Sequence, residues 1–119
     1  MREAIEKVLE AMREDYKRWS DNCARHESSA HYSKIKNEME EDYCNGLEVS
    51  EGSRYWKIMS SDRGGGRSVK GFIAKAGDKK FREGDMLKPA GWAAPARNFA
   101  RGNVLDETGF ENARWTGIG

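Results

Sequence analysis

Proline and cysteine are scarce, with two of each in 119 residues. Both prolines, Pro89 and Pro95, fall in one short stretch, so rigid φ angles and missing backbone donors are concentrated there. The two cysteines, Cys23 and Cys44, are too few for a disulfide scaffold and read as reduced thiols of an intracellular protein. No pair among Cys23, His26, His31 and Cys44 has the tight spacing of a structural zinc site, so no metal is expected. Long apolar runs are absent too. The first residues, Met1-Arg-Glu-Ala-Ile-Glu-Lys, lack the apolar core of a signal peptide, and no window reaches the length of a membrane span. Neither sign of charge dominates: the net charge of +1 argues against an undifferentiated nucleic-acid coat.

Glycine is missing from the first 45 residues, and all 13 glycines lie from Gly46 onward. A chain without glycine followed by one rich in it predicts helices first, then strands and turns. The charge divides at the same place. Residues 1–45 carry 8 basic and 11 acidic side chains and residues 46–119 carry 13 and 9, which makes the second part the better anion binder. The expected organisation is a helical anchor or oligomerisation segment over 1–46 and an antiparallel β core over 47–119.

Ile5, Leu9, Met12, Tyr16, Trp19, Cys23 and His26 recur at alternating steps of four and three, one face of a long amphipathic helix widened by Val8. Glu3–Lys7, Glu14–Arg18 and Asp21–Arg25 are spaced for i, i+4 ion pairs on its outer face. The stripe can cover the chain's own sheet or form a subunit seam, and periodicity does not choose between them. A second helix is expected from about Ser29 or Ser33 to Asn45, with Tyr32, Ile35, Met39 and Tyr43 inward and Gly46 as a left-handed stop.

From Leu47 the period becomes two. Strands are expected at Leu47–Val49, at Arg54–Met59 with Trp56 and Ile58 on one face, at Ser68–Lys75, and after a Gly84-Asp85 turn. Phe99–Leu105 and Asn112–Thr116 read as a last hairpin. The triple glycine Gly64–Gly66 lacks the Lys-Ser/Thr of a phosphate-binding P-loop and reads as a turn. The fold class is therefore α+β: two N-terminal helices, then a small, strongly bent antiparallel sheet.

The proline-bearing stretch, 88–103, contains no acidic residue. Lys88, Arg97 and Arg101 bring positive charge, Trp92 and Phe99 flat apolar faces, and Asn98 and Asn103 amides. Cations, π-faces and amides in one shaped loop suit a ligand with phosphates and a base. The same residues also fit a plainer reading as core aromatics, solvated charges and a loop cap. No spacing suggests a nucleophile–base pair, so binding without catalysis is expected and no catalytic residue or cofactor is assigned.

The segments Lys80–Lys88, Trp92–Asn103 and Arg114–Gly117 resemble the C-terminal signature of the first family of Thoeris anti-defence proteins, which are phage proteins. The likeness covers roughly residues 47–119, and the helices match in kind. It implies a sponge that sequesters cyclic ADP-ribose isomers uncleaved in the cytoplasm of the infected bacterium. It also implies assembly as a dimer or hexamer and, in some members, a separate site for cyclic oligonucleotides. By the same resemblance Asn98 and Arg114 would contact the ligand, with Lys88 and Trp92 lining the pocket. Arg97 and Arg101 join them on chemistry alone. The competing readings are a small-barrel binder of single-stranded nucleic acid and a phage inhibitor docking on a host protein.

Overall fold

Residues 2–24 contain neither proline nor glycine, and they form one helix, α1 (Arg2–Ala24). The computed structural model describes residues 2–24, 38, 41–61, 66–92, 94–97 and 99–119. Ile5, Val8, Leu9, Met12 and Tyr16 are buried together with Trp56, Ile58, Ile73, Met86, Val104, Ala113 and Ile118. The stripe as far as Tyr16 thus covers the chain's own sheet and is not open to a second copy. Each of these aliphatic side chains contributes about 1.5–3 kcal/mol by leaving water. For Lys7 and Arg18 the outer face pairs differently from the i, i+4 expectation, and Arg25 of the third expected pair lies outside the described residues. Arg13 reaches Glu6 at 2.7 Å and Glu10 at 3.3 Å, Arg18 takes Asp15 at 3.5 Å, and Lys7 crosses to Glu107 at 2.6 Å. Of the second expected helix, residue 38 and residues 41–46 are helical, with Tyr43 buried. Tyr32, Ile35, Met39, His26 and His31 lie outside the described residues, as does the side chain of Cys23.

Gly46 ends that helix for a reason other than a left-handed cap. It is absent from the positive-φ glycines, and a Cβ there would meet the Ser61 carbonyl oxygen at 2.7 Å. The chain passes straight into β1 (Leu47–Glu51), which pairs with β2 (Tyr55–Ser61). β2 pairs with β3 (Arg67–Ala74), and β3 with β4 (Met86–Leu87). All pairs are antiparallel, in the order β1-β2-β3-β4. The register shifts between Ile58↔Gly71 and Met59↔Val69, so Lys70 is the extra residue of a bulge.

Alternation along these strands creates two faces. Trp56, Ile58, Ile73 and Met86 turn toward α1. Phe72, Ala74 and Leu87 join Phe81 in a smaller cluster, flanked by Tyr55, Val69 and Ala100. The site described below lies on this second face.

The C-terminal region departs from the expected hairpin. Residues 99–105 form no strand, and Ala113–Arg114 (β5) pairs with Gly117–Ile118 (β6) across Trp115-Thr116. This hairpin packs on α1 through aromatic rings. Tyr16 stacks on Tyr43 at 4.5 Å between centroids, and Trp115 lies 4.7 Å from Trp19 and edge-on to Tyr16 at 5.2 Å. The Trp115 N–H donates to Asp15 at 3.0 Å, and Tyr43 donates its hydroxyl to the Trp115 carbonyl at 3.0 Å. Burial pushes the Tyr43 hydroxyl above its ordinary pKa, which keeps it protonated as that donor.

Asn103 holds the intervening loop. Its Nδ2 donates to the Glu83 carbonyl at 3.0 Å and to Asp85 at 2.9 Å, and its Oδ1 accepts from the N–H groups of Leu105 and Asp106. With 3% exposure, its amide is spent on the fold and is unavailable to read a ligand. Asn103→Ala is expected to cost about 2–4 kcal/mol, because several buried partners lose their bond. Urea denaturation measures this, and a loss below about 1 kcal/mol would show that water replaces the amide.

Candidate functional site

The stretch 88–97 folds back on itself beside the second face of the sheet. Pro89 and Pro95 form an isolated bridge, the Ala96 N–H donates to the Lys88 carbonyl at 2.7 Å, and those of Ala90 and Gly91 donate to Ala94. This closed loop presents Trp92, 50% exposed, with the Lys57 ammonium 3.7 Å from its ring centroid. Between loop and sheet lies an open cleft of about 450 Å³, lined by Ser50, Tyr55, Lys57, Phe72 and Pro95, with Arg54 and Arg97 at one side. Among the described residues its lining includes three cations and no carboxylate.

A second cleft of about 530 Å³ adjoins it, sharing Ser53, Arg54 and Arg97 and continuing along residues 75–79. Arg97 is therefore the wall common to both. Its guanidinium grips Asp78 with both terminal nitrogens, at 3.0 and 3.1 Å, and Nη1 also donates to the Tyr55 hydroxyl. The Lys80 ammonium donates to the Arg97 carbonyl, and the Arg97 guanidinium sits 5.1 Å from the Phe81 ring centroid. Asp78 is enclosed, its side chain 2% exposed, and also accepts the N–H groups of Lys80 and Phe81 at 2.9 and 3.0 Å. The Arg97 fork, followed by those two N–H groups, holds the Asp78 carboxyl well below the usual carboxylate range. Reciprocally, Asp78 raises the pKa of Arg97. The pair fixes Arg97 while leaving its Nε–H and the second Nη2–H without a hydrogen bond among the described residues. A preorganised fork with spare donors is suited to an anion.

The other residues expected at a site are dispersed. Lys88 is exposed beside the C-terminal Gly119 and lines neither cleft. Arg101 lies 3.8 Å over the Phe99 ring, its Nε buried without a partner among the described residues, and it also lines neither. Arg114 is exposed on β5, the strand packed on α1, and is likewise outside both clefts. Asn98 lies outside the described residues. The structure thus brings Arg97 to the cleft, whereas Trp92 lines neither cleft and touches the first only through Lys57. Sequence reasoning passed over Arg54, Tyr55, Lys57 and Asp78. The signal was the alternation of β2: once Trp56 and Ile58 are assigned to the core, Tyr55 and Lys57 must face the other way.

Among the described residues no group of three His, Cys, Asp or Glu side chains could hold a metal, and Cys44 is a free thiol. No helix among them is long and apolar enough to cross a membrane. An α+β chain with a cationic cleft on the sheet face away from its helix is the class defined here. Residues 1–118 match DUF7717, a family of unknown function, and the chain belongs to that family. No curated protein and no solved structure matches it.

Proposed function

We propose that this protein binds a small pyrophosphate-linked nucleotide of the cyclic ADP-ribose class and holds it uncleaved, acting as a phage anti-defence sponge. The observation that carries the reading is the cleft whose described lining holds Arg54, Lys57 and Arg97 around Tyr55 and Phe72 with no acid, Trp92 lying behind Lys57. Arginine forks match phosphate oxygens, and an aromatic face takes a purine at roughly 1–3 kcal/mol per stacked base. The likeness to the first Thoeris anti-defence family supplies the ligand class. Cyclic oligonucleotides are a second ligand class within the same reading. It also carries action in the cytoplasm of an infected bacterium and self-association as a dimer or hexamer. With Ile5, Val8, Leu9, Met12 and Tyr16 buried, the surface available for that contact includes Trp19 and Leu105, 42% and 51% exposed.

A ligand bound only by the folded chain raises its melting temperature. Thermal scans against cyclic ADP-ribose isomers, cyclic oligonucleotides and single-stranded DNA are expected to show the largest rise with a cyclic ADP-ribose isomer. That ligand should be recovered chemically unchanged after the complex is heated. Release of a linear product with turnover would mark a hydrolase, and a largest rise with single-stranded DNA would mark a nucleic-acid-binding module.

A further inference from the structure

The second cleft has a different chemistry from the first. Among the described residues no aromatic ring lines it, and its walls are Ser53, Arg54, Arg97 and the turn from Lys75 to Lys79. In that turn the Asp78 N–H closes the hydrogen-bonded turn over Ala76-Gly77, the N–H groups of Ala76, Gly77 and Lys79 donate to nothing among the described residues, and those of Lys75, Lys80 and Phe81 on either side are all bonded. Gly77 has φ 93°, and a Cβ built on it would meet nothing within 4 Å, so the backbone there is open to an approaching group. Successive N–H groups around a left-handed glycine form a concavity for an anion.

The charges add to this. The Asp78 carboxylate would oppose an anion, but its oxygens point into Arg97, with Arg54 at 3.5 Å and the Lys80 and Phe81 N–H groups completing its shell. Lys75 is bound to Glu51 at 2.7 Å, so it contributes little net charge. Arg54 and the exposed Lys79 remain as the cations of this cleft, beside the neutral Arg97–Asp78 pair with its spare donors.

We propose that this second cleft is a diphosphate subsite, in which the N–H groups of Ala76, Gly77 and Lys79, the Lys79 ammonium and the spare Arg97 donors hold two linked phosphates. The ligand's base and sugar would then lie across Arg97 in the first cleft. The inference deepens the nucleotide-binding reading above and rests on it for the identity of the whole ligand. Arg97, shared by both clefts, would meet the junction between phosphate and sugar. Cations and N–H groups without a π-face select phosphate over base, whereas Tyr55 and Phe72 supply the opposite preference next door.

Inorganic pyrophosphate tests the subsite by itself. Titrated into 15N-labelled protein, it is expected to shift the Gly77 and Lys79 amide signals saturably, with an affinity that falls as salt rises. Lys79→Glu, an exposed substitution, is expected to weaken pyrophosphate binding by about tenfold or more. Lys17→Glu, the same charge change on the outer face of α1, is expected to leave it as in wild type. Pyrophosphate that moves no amide in 76–79, or that binds Lys79→Glu as it binds wild type, overturns the subsite. If cyclic ADP-ribose does not bind while pyrophosphate behaves as expected, the subsite stands and the cyclic ADP-ribose reading falls. If cyclic ADP-ribose binds without perturbing 76–79, that reading stands and the subsite falls.

Discussion

Arg97→Lys is expected to weaken nucleotide binding by roughly 10–100-fold, the range for losing a hydrogen bond to a charged group. Charge is retained in this variant, so the loss reports geometry. One ammonium cannot span both Asp78 oxygens, reach Tyr55 and still present a second pair of donors to the ligand. Calorimetric titration with a cyclic ADP-ribose isomer measures it, and wild-type affinity in the lysine variant would remove Arg97 from the site. The partner acid provides an independent readout. Because the folded state depresses the Asp78 pKa, its stabilising contribution is complete above the ordinary carboxylate value of about 4 and is lost as pH falls below it. Asp78→Asn should therefore melt lower than wild type at pH 7, and the gap should close as the pH is taken from about 4 toward 2. A gap that stays constant with pH would mean that the carboxylate charge contributes nothing to the fold.

Gly109→Ala is expected to cost roughly 2–6 kcal/mol, combining left-handed backbone strain with overpacking. Gly109 has φ 74°, and a Cβ on it would sit 2.2 Å from the Arg101 carbonyl oxygen and 2.6 Å from the Gly102 Cα. The opposing residue is equally constrained, since a Cβ on Gly102 would lie 2.3 Å from the Thr108 carbonyl oxygen. Two backbones cross there with no room for a side chain, and nearby Asn112 donates to the Arg101 carbonyl at 2.8 Å. Gly77→Ala is the comparison: its backbone is also left-handed, yet nothing stands in the way of the methyl group, so only about 1–2 kcal/mol of strain is expected. Chemical denaturation of both variants separates the two effects. Equal losses would show that close approach at Gly109 adds nothing to the backbone strain.

What the amino-acid sequence determined by itself was local and periodic. The stripe from Ile5 to Tyr16, the alternation that sends Trp56 and Ile58 one way and Tyr55 and Lys57 the other, and the α+β division at Gly46 all follow from repeats of 3.6 and 2 along the chain. A period says which residues share a face, but it does not say what that face meets. Only the tertiary structure decided that α1 lies on its own sheet, that Gly46 is small because Ser61 passes it, and that the Asn103 amide closes a loop. The same holds for the site. Arg97 meets Asp78 across 19 residues and Tyr55 across 42, whereas Arg101, four positions from Arg97, stacks on Phe99 outside the clefts. A cation's role is set by the acid, ring or cleft that packing brings to it, and those partners come from segments whose separation in sequence carries no periodic signal.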